Sequence, residues 1–170
     1  MIVSIIAAMA KDRALGKGND LPWPRMEADV RRYHDSIDGK TVIMGRTSYD
    51  SLPIPLPWRL MVVLAQEEYA PKYERTVVVT SIEEALRVAQ EDVAAQGDDE
   101  VIVAGGASIF EQFLPRANRM LLTFIDGEFE ADRFFPQWDE GEWKEVERQE
   151  FDADEKNPYP YTFVTLERIQ

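Results

Sequence analysis

The chain has 170 residues, 45% of them hydrophobic and 11% aromatic, enough for one domain with a sizeable core and too apolar for a disordered chain. Its 19 basic and 32 acidic side chains leave a net charge of −13, which repels nucleic acid backbones and anionic membranes and argues against both as partners. The absence of cysteine excludes disulfides, thiolate nucleophiles and thiolate metal sites, and a single histidine, His34, excludes a multi-histidine metal centre.

The opening segment, MIVSIIAAMAKDR, has no basic region before its apolar run and no good cleavage site, so it reads as a buried strand rather than a signal peptide. No run approaches the roughly 20 apolar residues of a membrane span, and a cytoplasmic protein is expected. The segment LPWPRMEADVRRY, residues 21–33, then begins an amphipathic helix: Met26, Val30, Tyr33 and Ile37 fall on one stripe. Asp29 lies about 70° from the centre of that stripe and Glu27 about 90° from it on the other flank. With Arg32 three residues on, Asp29 has an ordinary helix ion pair within reach. Alternatively, a carboxylate there faces an apolar pocket, bonds a ligand and has its pKa pushed upward. Spacing does not choose between the two.

The strand TVIMG leads through Gly45 to Arg46, Thr47 and Ser48 at a second helix start, a group that suits a phosphate as well as it suits a capped surface helix. In LPIPLPWRLMV, three prolines make an extended loop before the next strand, and Arg59 stands at its end. Arg59 is either a solvated flanking arginine or a bidentate grip on a carboxylate. LMVVLA and TVVVT read as further strands, near-continuously apolar and so covered on both faces. SIEEALRVAQEDV reads as a helix, with Ile82, Ala85, Leu86, Ala89 and Val93 on one side and a Ser81–Glu84 capping box at its start. The strand EVIVA ends in Gly105-Gly106, where a helix starts near Ala107; the glycines permit close approach of a phosphate, although such a turn is as readily structural. ASIFEQFL stops at Pro115. The last third, RMLLTFIDGEFEADRFFP, WKEVERQEF and YTFVTLERI, reads as longer, more alternating strands. The implied fold is α/β: a single domain over residues 1–170, with a mostly parallel central sheet, helices on both faces and antiparallel C-terminal strands. Ligands in such sheets lie beyond the carboxyl ends of the strands.

Six segments in order, IAAMAKDRALGKGNDLPW, ADVRRYHDSIDGKTVIMGRTSYDSL, PLPWR, IVAGGASIFEQFLP, LLTFIDGEFEADRFFP and NPYPYTFVTLER, together resemble dihydrofolate reductase from the first strand to the last. The resemblance implies hydride transfer from NADPH to 7,8-dihydrofolate, giving tetrahydrofolate, by a cytoplasmic monomer without a metal ion. It singles out Asp29, not Glu27, as the acid that orients the pterin and promotes its protonation. Trp23 would hold a water near Asp29, and Thr123 would support the carboxylate. Ile6 and Ala8 would offer backbone groups to the pterin and to the nicotinamide amide. Val30, Tyr33, Leu52, Leu56 and Ala104 would wall the folate, and Arg59 would bind its glutamate carboxylate. Leu15, Gly16 and Leu21 belong to the loop that closes over the nicotinamide, with Asp132 steadying it. Gly45, Arg46, Thr47, Ser48 and Leu64, together with Gly105, Gly106, Ala107, Ser108, Ile109 and Phe110, would bind the cofactor.

Some positions depart from the family pattern. Ala65-Gln66 and Ser108 stand where many members have groups that hold the cofactor's phosphates, which leaves Arg46 and Thr47 nearly alone in choosing NADPH over NADH. Phe110 replaces a common tyrosine, Ala104 is smaller than the usual branched residue, and Trp58 occupies a position that is often glycine, next to Arg59. Two rivals are another pterin or pyrimidine reductase on the same scaffold, and a nucleotide-binding relative that has lost the reaction. The first would not be expected to carry LPW followed by an acid on the next helix. The second would be expected to have lost at least one of Asp29, Trp23, Thr123 and Arg59.

Overall fold

The apolar runs become strands because both their faces find cover. In the computed structural model, which describes residues 1–170, they are β1 (Ile2–Met9), β3 (Thr41–Gly45), β4 (Leu60–Leu64), β5 (Thr76–Val79), β6 (Glu100–Val103) and β7 (Arg119–Ile125). With β9 (Trp143–Phe151) and β10 (Tyr161–Arg168) they form one eight-stranded sheet in the order β5-β4-β3-β6-β1-β7-β10-β9. Every pairing from β5 to β7 is parallel, and β10 is antiparallel to both β7 and β9. A ribbon of β2 (Ala14–Gly16) and β8 (Arg133–Phe134) stands apart. The helices are α1 (Glu27–Ile37), α2 (Arg46–Asp50), α3 (Ile82–Ala95) and α4 (Ala107–Phe113). No helix is long and apolar enough to cross a membrane.

Strand alternation sorts the core into two layers. Val3, Ile5, Ala7 and Met9 of β1 face α3 and α4 and pack with Ala85, Ala89, Val93, Ile109, Phe110 and Phe113. Ile6 faces the other way and packs with Ile37 of α1, Tyr49 of α2, and Trp58. A third cluster, Ala10, Ala14, Trp23, Met26, Ile125 and Tyr161, closes the end of the sheet above the carboxyl ends of β1 and β7. Phe113 is wholly buried, and area removed from water makes such a side chain worth about 1.5–3 kcal/mol.

Three expectations change. β5 is an edge strand, so Val77 is exposed, although Val79 on the same face is buried and Val78 packs against the core from the other. β9, the other edge, does not alternate: only Trp143 is buried, and Arg148 pairs with Glu145 and Glu150 on a charged surface that resists further strand pairing. The long strand read in RMLLTFIDGEFEADRFFP divides into β7 and β8, with a turn at Gly127 where a Cβ would lie 2.6 Å from the Phe129 ring. The capping box at α3 is half formed. Ser81 accepts the Glu84 N–H at 3.1 Å, while the Glu84 carboxylate accepts from Thr80 instead.

Candidate active site

Helix α1 begins without a cap of its own, since Met26 offers no acceptor side chain. Its first N–H groups are instead satisfied from the loop between β9 and β10: Glu27 N–H donates to the Lys156 carbonyl at 3.2 Å and Ala28 N–H to Asn157 Oδ1 at 2.9 Å. Asn157 is 5% exposed and held by Asp154, whose Oδ1 accepts from its backbone N–H at 2.8 Å and its side-chain amide at 3.0 Å. Sequence reasoning assigned no role to this asparagine. The signal was there, an Asp-x-x-Asn-Pro turn, but its partner lies 129 residues away.

That anchoring places Asp29, the third residue of α1, beside Thr123 on β7, whose register partner on β1 is Ala8. Burial raises the Asp29 pKa above its ordinary 3.8, while a hydrogen bond from Thr123 and the charge of Arg32 pull it partly back. Glu27, two residues away, is exposed, and Arg25, hydrogen-bonded to it at 2.6 Å, lowers its pKa. The two carboxylates are thus driven in opposite directions, and Asp29 is the one aimed into the protein. Arg32 does not form a contact ion pair with it. Its Nη1 donates to the Leu122 carbonyl at 2.6 Å and to Thr123 Oγ1 at 3.4 Å, with the guanidinium 4.5 Å over the Phe163 ring. Trp23 is 5% exposed, lies edge-on to Phe129, and its Nε1 has no protein partner, so a polar atom can be received there.

The residues expected to wall a substrate come together. Tyr33, Leu52, Leu56 and Ala104 pack on the cluster that contains Ile6, and Val30 lies half-buried on the same helix as Asp29. Trp58, beside Arg59 in sequence, is turned inward: it is 1% exposed and packs between Tyr49 and Tyr73.

Leu15, Leu64, Ile109 and Phe110 gather on the opposite face of the sheet. Between the two faces, the turns that start α2 and α4 touch. Gly45 N–H donates to the Gly105 carbonyl at 2.8 Å, and a Cβ on Gly45 would lie 2.8 Å from Ile109 Cγ1. A Cβ on Gly106 would lie 3.0 Å from Ser48 Oγ, and Gly105 has φ +113°, which other residues rarely adopt. Neither helix start has a side-chain cap, so the first N–H groups of both, around Arg46–Ser48 and Ala107–Ile109, converge with free donors. Linked phosphates fit this pair of turns. Thr47 and Ser108 are exposed beside them. Arg46 contacts Asp50 at 3.3 Å and lies 3.8 Å over the Tyr69 ring; burial, followed by Asp50, pushes the Tyr69 hydroxyl up to about 12.

The loop carrying Leu15, Gly16 and Leu21 is fastened to the segment around Asp132. Asp132 accepts the Gly18 N–H at 3.0 Å and donates its own N–H to the Gly16 carbonyl at 2.9 Å, while Lys17 pairs with Glu130 at 2.7 Å. Leu15 is half-buried against the core, and Leu21 is 49% exposed. Arg59 is heavily engaged: it donates to Asp92 at 3.2 Å, the Gly39 carbonyl at 2.7 Å and Thr41 Oγ1 at 2.8 Å.

The family model described as dihydrofolate reductase matches residues 2–168. The chain is 36% identical to the dihydrofolate reductase of Bacillus subtilis, over 98% of this chain and 95% of that one. It is also 36% identical to the type 3 dihydrofolate reductase of Salmonella typhimurium, over 99% of each. Among solved structures it is similar to a dihydrofolate reductase from Enterococcus faecalis complexed with NADP(H) and RAB-propyl: TM-score 0.85, 28% identity, covering 99% of this chain and 97% of that one.

Proposed function

The chain belongs to the dihydrofolate reductase family, and from that premise we infer how its residues reduce 7,8-dihydrofolate to tetrahydrofolate with NADPH. The observation that supports this reading most is the burial of Asp29, a carboxylate bonded by Thr123 and carried on the same helix as the apolar residues Val30 and Tyr33.

NADPH supplies the hydride when bound. The turns Gly45–Ser48 and Gly105–Phe110 hold its phosphates, and Ala8, Leu15, Gly16, Leu21 and Leu64 receive the rest. Asp29 hydrogen-bonds the pterin's amino group and adjacent ring nitrogen and so fixes the ring against Ile6, Val30, Tyr33, Leu52, Leu56 and Ala104. Its raised pKa lets it carry a proton nearer neutrality than an exposed aspartate, which favours protonation of the ring nitrogen beside the hydride-accepting carbon. Water delivers that proton, positioned by the Trp23 Nε1–H. The apolar wall and the fastened loop keep other water away from the hydride path. Arg59 binds a carboxylate of the glutamate tail.

Ala65, Gln66 and Ser108 add no charge at the phosphate end, which leaves Arg46 and Thr47 as the chief groups to choose NADPH over NADH and leaves room for NADH as a poorer substitute. The single sheet joins strands from both ends of the chain, which supports reading residues 1–170 as one domain; with a net charge of −13 we take it as a cytoplasmic monomer with neither nucleic acid nor membrane as a partner. The test is loss of NADPH absorbance by purified protein with dihydrofolate, repeated with NADH and at low and high salt. Oxidation that depends on dihydrofolate is expected. Its absence in folded protein would direct attention to another pterin or pyrimidine substrate.

A further inference from the structure

At the amino-terminal edge of the sheet, Asp92 near the end of α3 reaches the starts of β3 and β4. One of its oxygens, Oδ2, accepts both the Thr41 hydroxyl at 2.6 Å and Arg59 Nε–H at 3.2 Å, while Arg59 Nη2 donates to the same Thr41 oxygen at 2.8 Å. The three side chains close a ring of hydrogen bonds. Thr41 is fully buried, and the Asp92 and Arg59 side chains are 19% and 23% exposed, so water competes weakly for these bonds. Nη1 donates to the Gly39 carbonyl at 2.7 Å. An arginine has five N–H groups, one on Nε and two on each terminal nitrogen. Three are committed, one from each nitrogen, and the two that remain are one on each terminal nitrogen, the number a two-point grip on a carboxylate uses. Asp98 lies 3.8 Å from Nη1, but its carboxylate is itself held by Lys40, at 3.2 and 3.3 Å.

Resting on the reading of Arg59 given above, we propose that Asp92 is a positioning residue for the substrate tail: through Thr41 and Nε it holds the Arg59 fork in place with its two terminal N–H groups presented to the tail carboxylate. An arginine without that brace must surrender rotamer freedom on binding, which weakens affinity by roughly three- to tenfold. The cost falls on a substrate that has a tail and on no other.

The experiment compares steady-state KM and kcat for dihydrofolate and for a 7,8-dihydropterin that lacks the aminobenzoylglutamate tail. Asp92→Ala is expected to raise KM for dihydrofolate roughly three- to tenfold at unchanged kcat, with KM for the tail-less pterin unmoved. Asp92→Asn, whose amide oxygen still accepts, should recover most of the loss. If the alanine variant does not fold, Thr41→Val opens the same ring from within and should show the same selectivity. A KM that rises equally for both substrates, stays constant or falls for dihydrofolate overturns the proposal; a fall would mean that Asp92 competes with the tail. Arg59→Gln separates the two levels. If it raises KM for dihydrofolate alone while the Asp92 variants do not, only the brace is wrong. If it does not discriminate, the assignment of Arg59 fails, and the brace with it.

Discussion

Replacing Asn157 by alanine tests whether the reactive end of α1 is held from outside the helix. The substitution removes the acceptor of the Ala28 N–H and leaves the neighbouring Glu27 N–H to Lys156 carbonyl bond in place. Loss of an N-cap acceptor costs about 1 kcal/mol, rising toward about 2 where the freed N–H stays partly buried, as here. The companion bond to Asp154 adds little, because that carboxylate is exposed and keeps its bonds to two backbone N–H groups. In a chain of this length each kcal/mol moves Tm by about 2–4 °C, so a fall of about 2–8 °C is expected in a thermal melt followed by circular dichroism. The first turn of α1 carries Asp29, so dihydrofolate turnover at a temperature where the variant is folded should fall as well. A Tm within about 1 °C of the parent, with full turnover, would refute the reasoning: the start of α1 would then be satisfied equally well by solvent.

Asp29→Asn should reduce turnover at neutral pH by about a hundredfold or more while NADPH binding, followed by fluorescence titration, is retained; unchanged turnover would make Asp29 an ordinary structural carboxylate. The same variant should be more stable than the parent at neutral pH. The folded-state pKa of Asp29 lies above its unfolded value near 3.8, so the parent loses stability as pH rises through the folded pKa; the gain should vanish in melts below about pH 4, and its persistence there would contradict the burial argument. Arg32→Leu removes the cation that lowers the Asp29 pKa, so a carboxyl NMR titration should find that pKa higher than in the parent; an unmoved value would remove Arg32 from the electrostatics of the site. Asp132→Ala removes the acceptor for the Gly18 N–H and should raise KM for NADPH, read from initial rates; no change would mean that the Lys17–Glu130 pair and the β2–β8 ribbon hold the loop without that carboxylate.

The strands of the parallel half were legible because two-sided burial writes continuous apolar runs, and α1 and α3 because their stripes repeat at helical spacing. Edge position was not legible. TVVVT and LMVVLA look alike as sequence, yet Val77 is exposed while Met61, Val62 and Val63 are buried. Spacing alone left Asp29 and Glu27 on opposite flanks of one stripe; the resemblance chose between them, and Thr123, brought up by the pairing of β7 with β1, supplies a physical reason. Residue type left Arg59 either a solvated flank or a carboxylate grip, and its bonds to Thr41 and Asp92 were not legible, since nothing local connects residues 41, 59 and 92. The burial of Trp58 was not legible for a related reason: its loop is proline-rich and extended, and sequence does not say which way an indole in such a loop turns.

The dependence of α1 on Asn157 also sets an order of events during synthesis. Asp29 and the residue that anchors its helix are separated by 128 positions, which at roughly 5–20 residues per second is roughly 6–26 s of elongation. β1 waits as well, since both its neighbours, β6 and β7, lie beyond residue 99. A nascent chain halted after β7 would have all the strands that flank the first one, yet the helix bearing its acid would still lack its anchor. The reactive end of the protein is therefore among the last parts to become fixed, although its residues are among the first to be made.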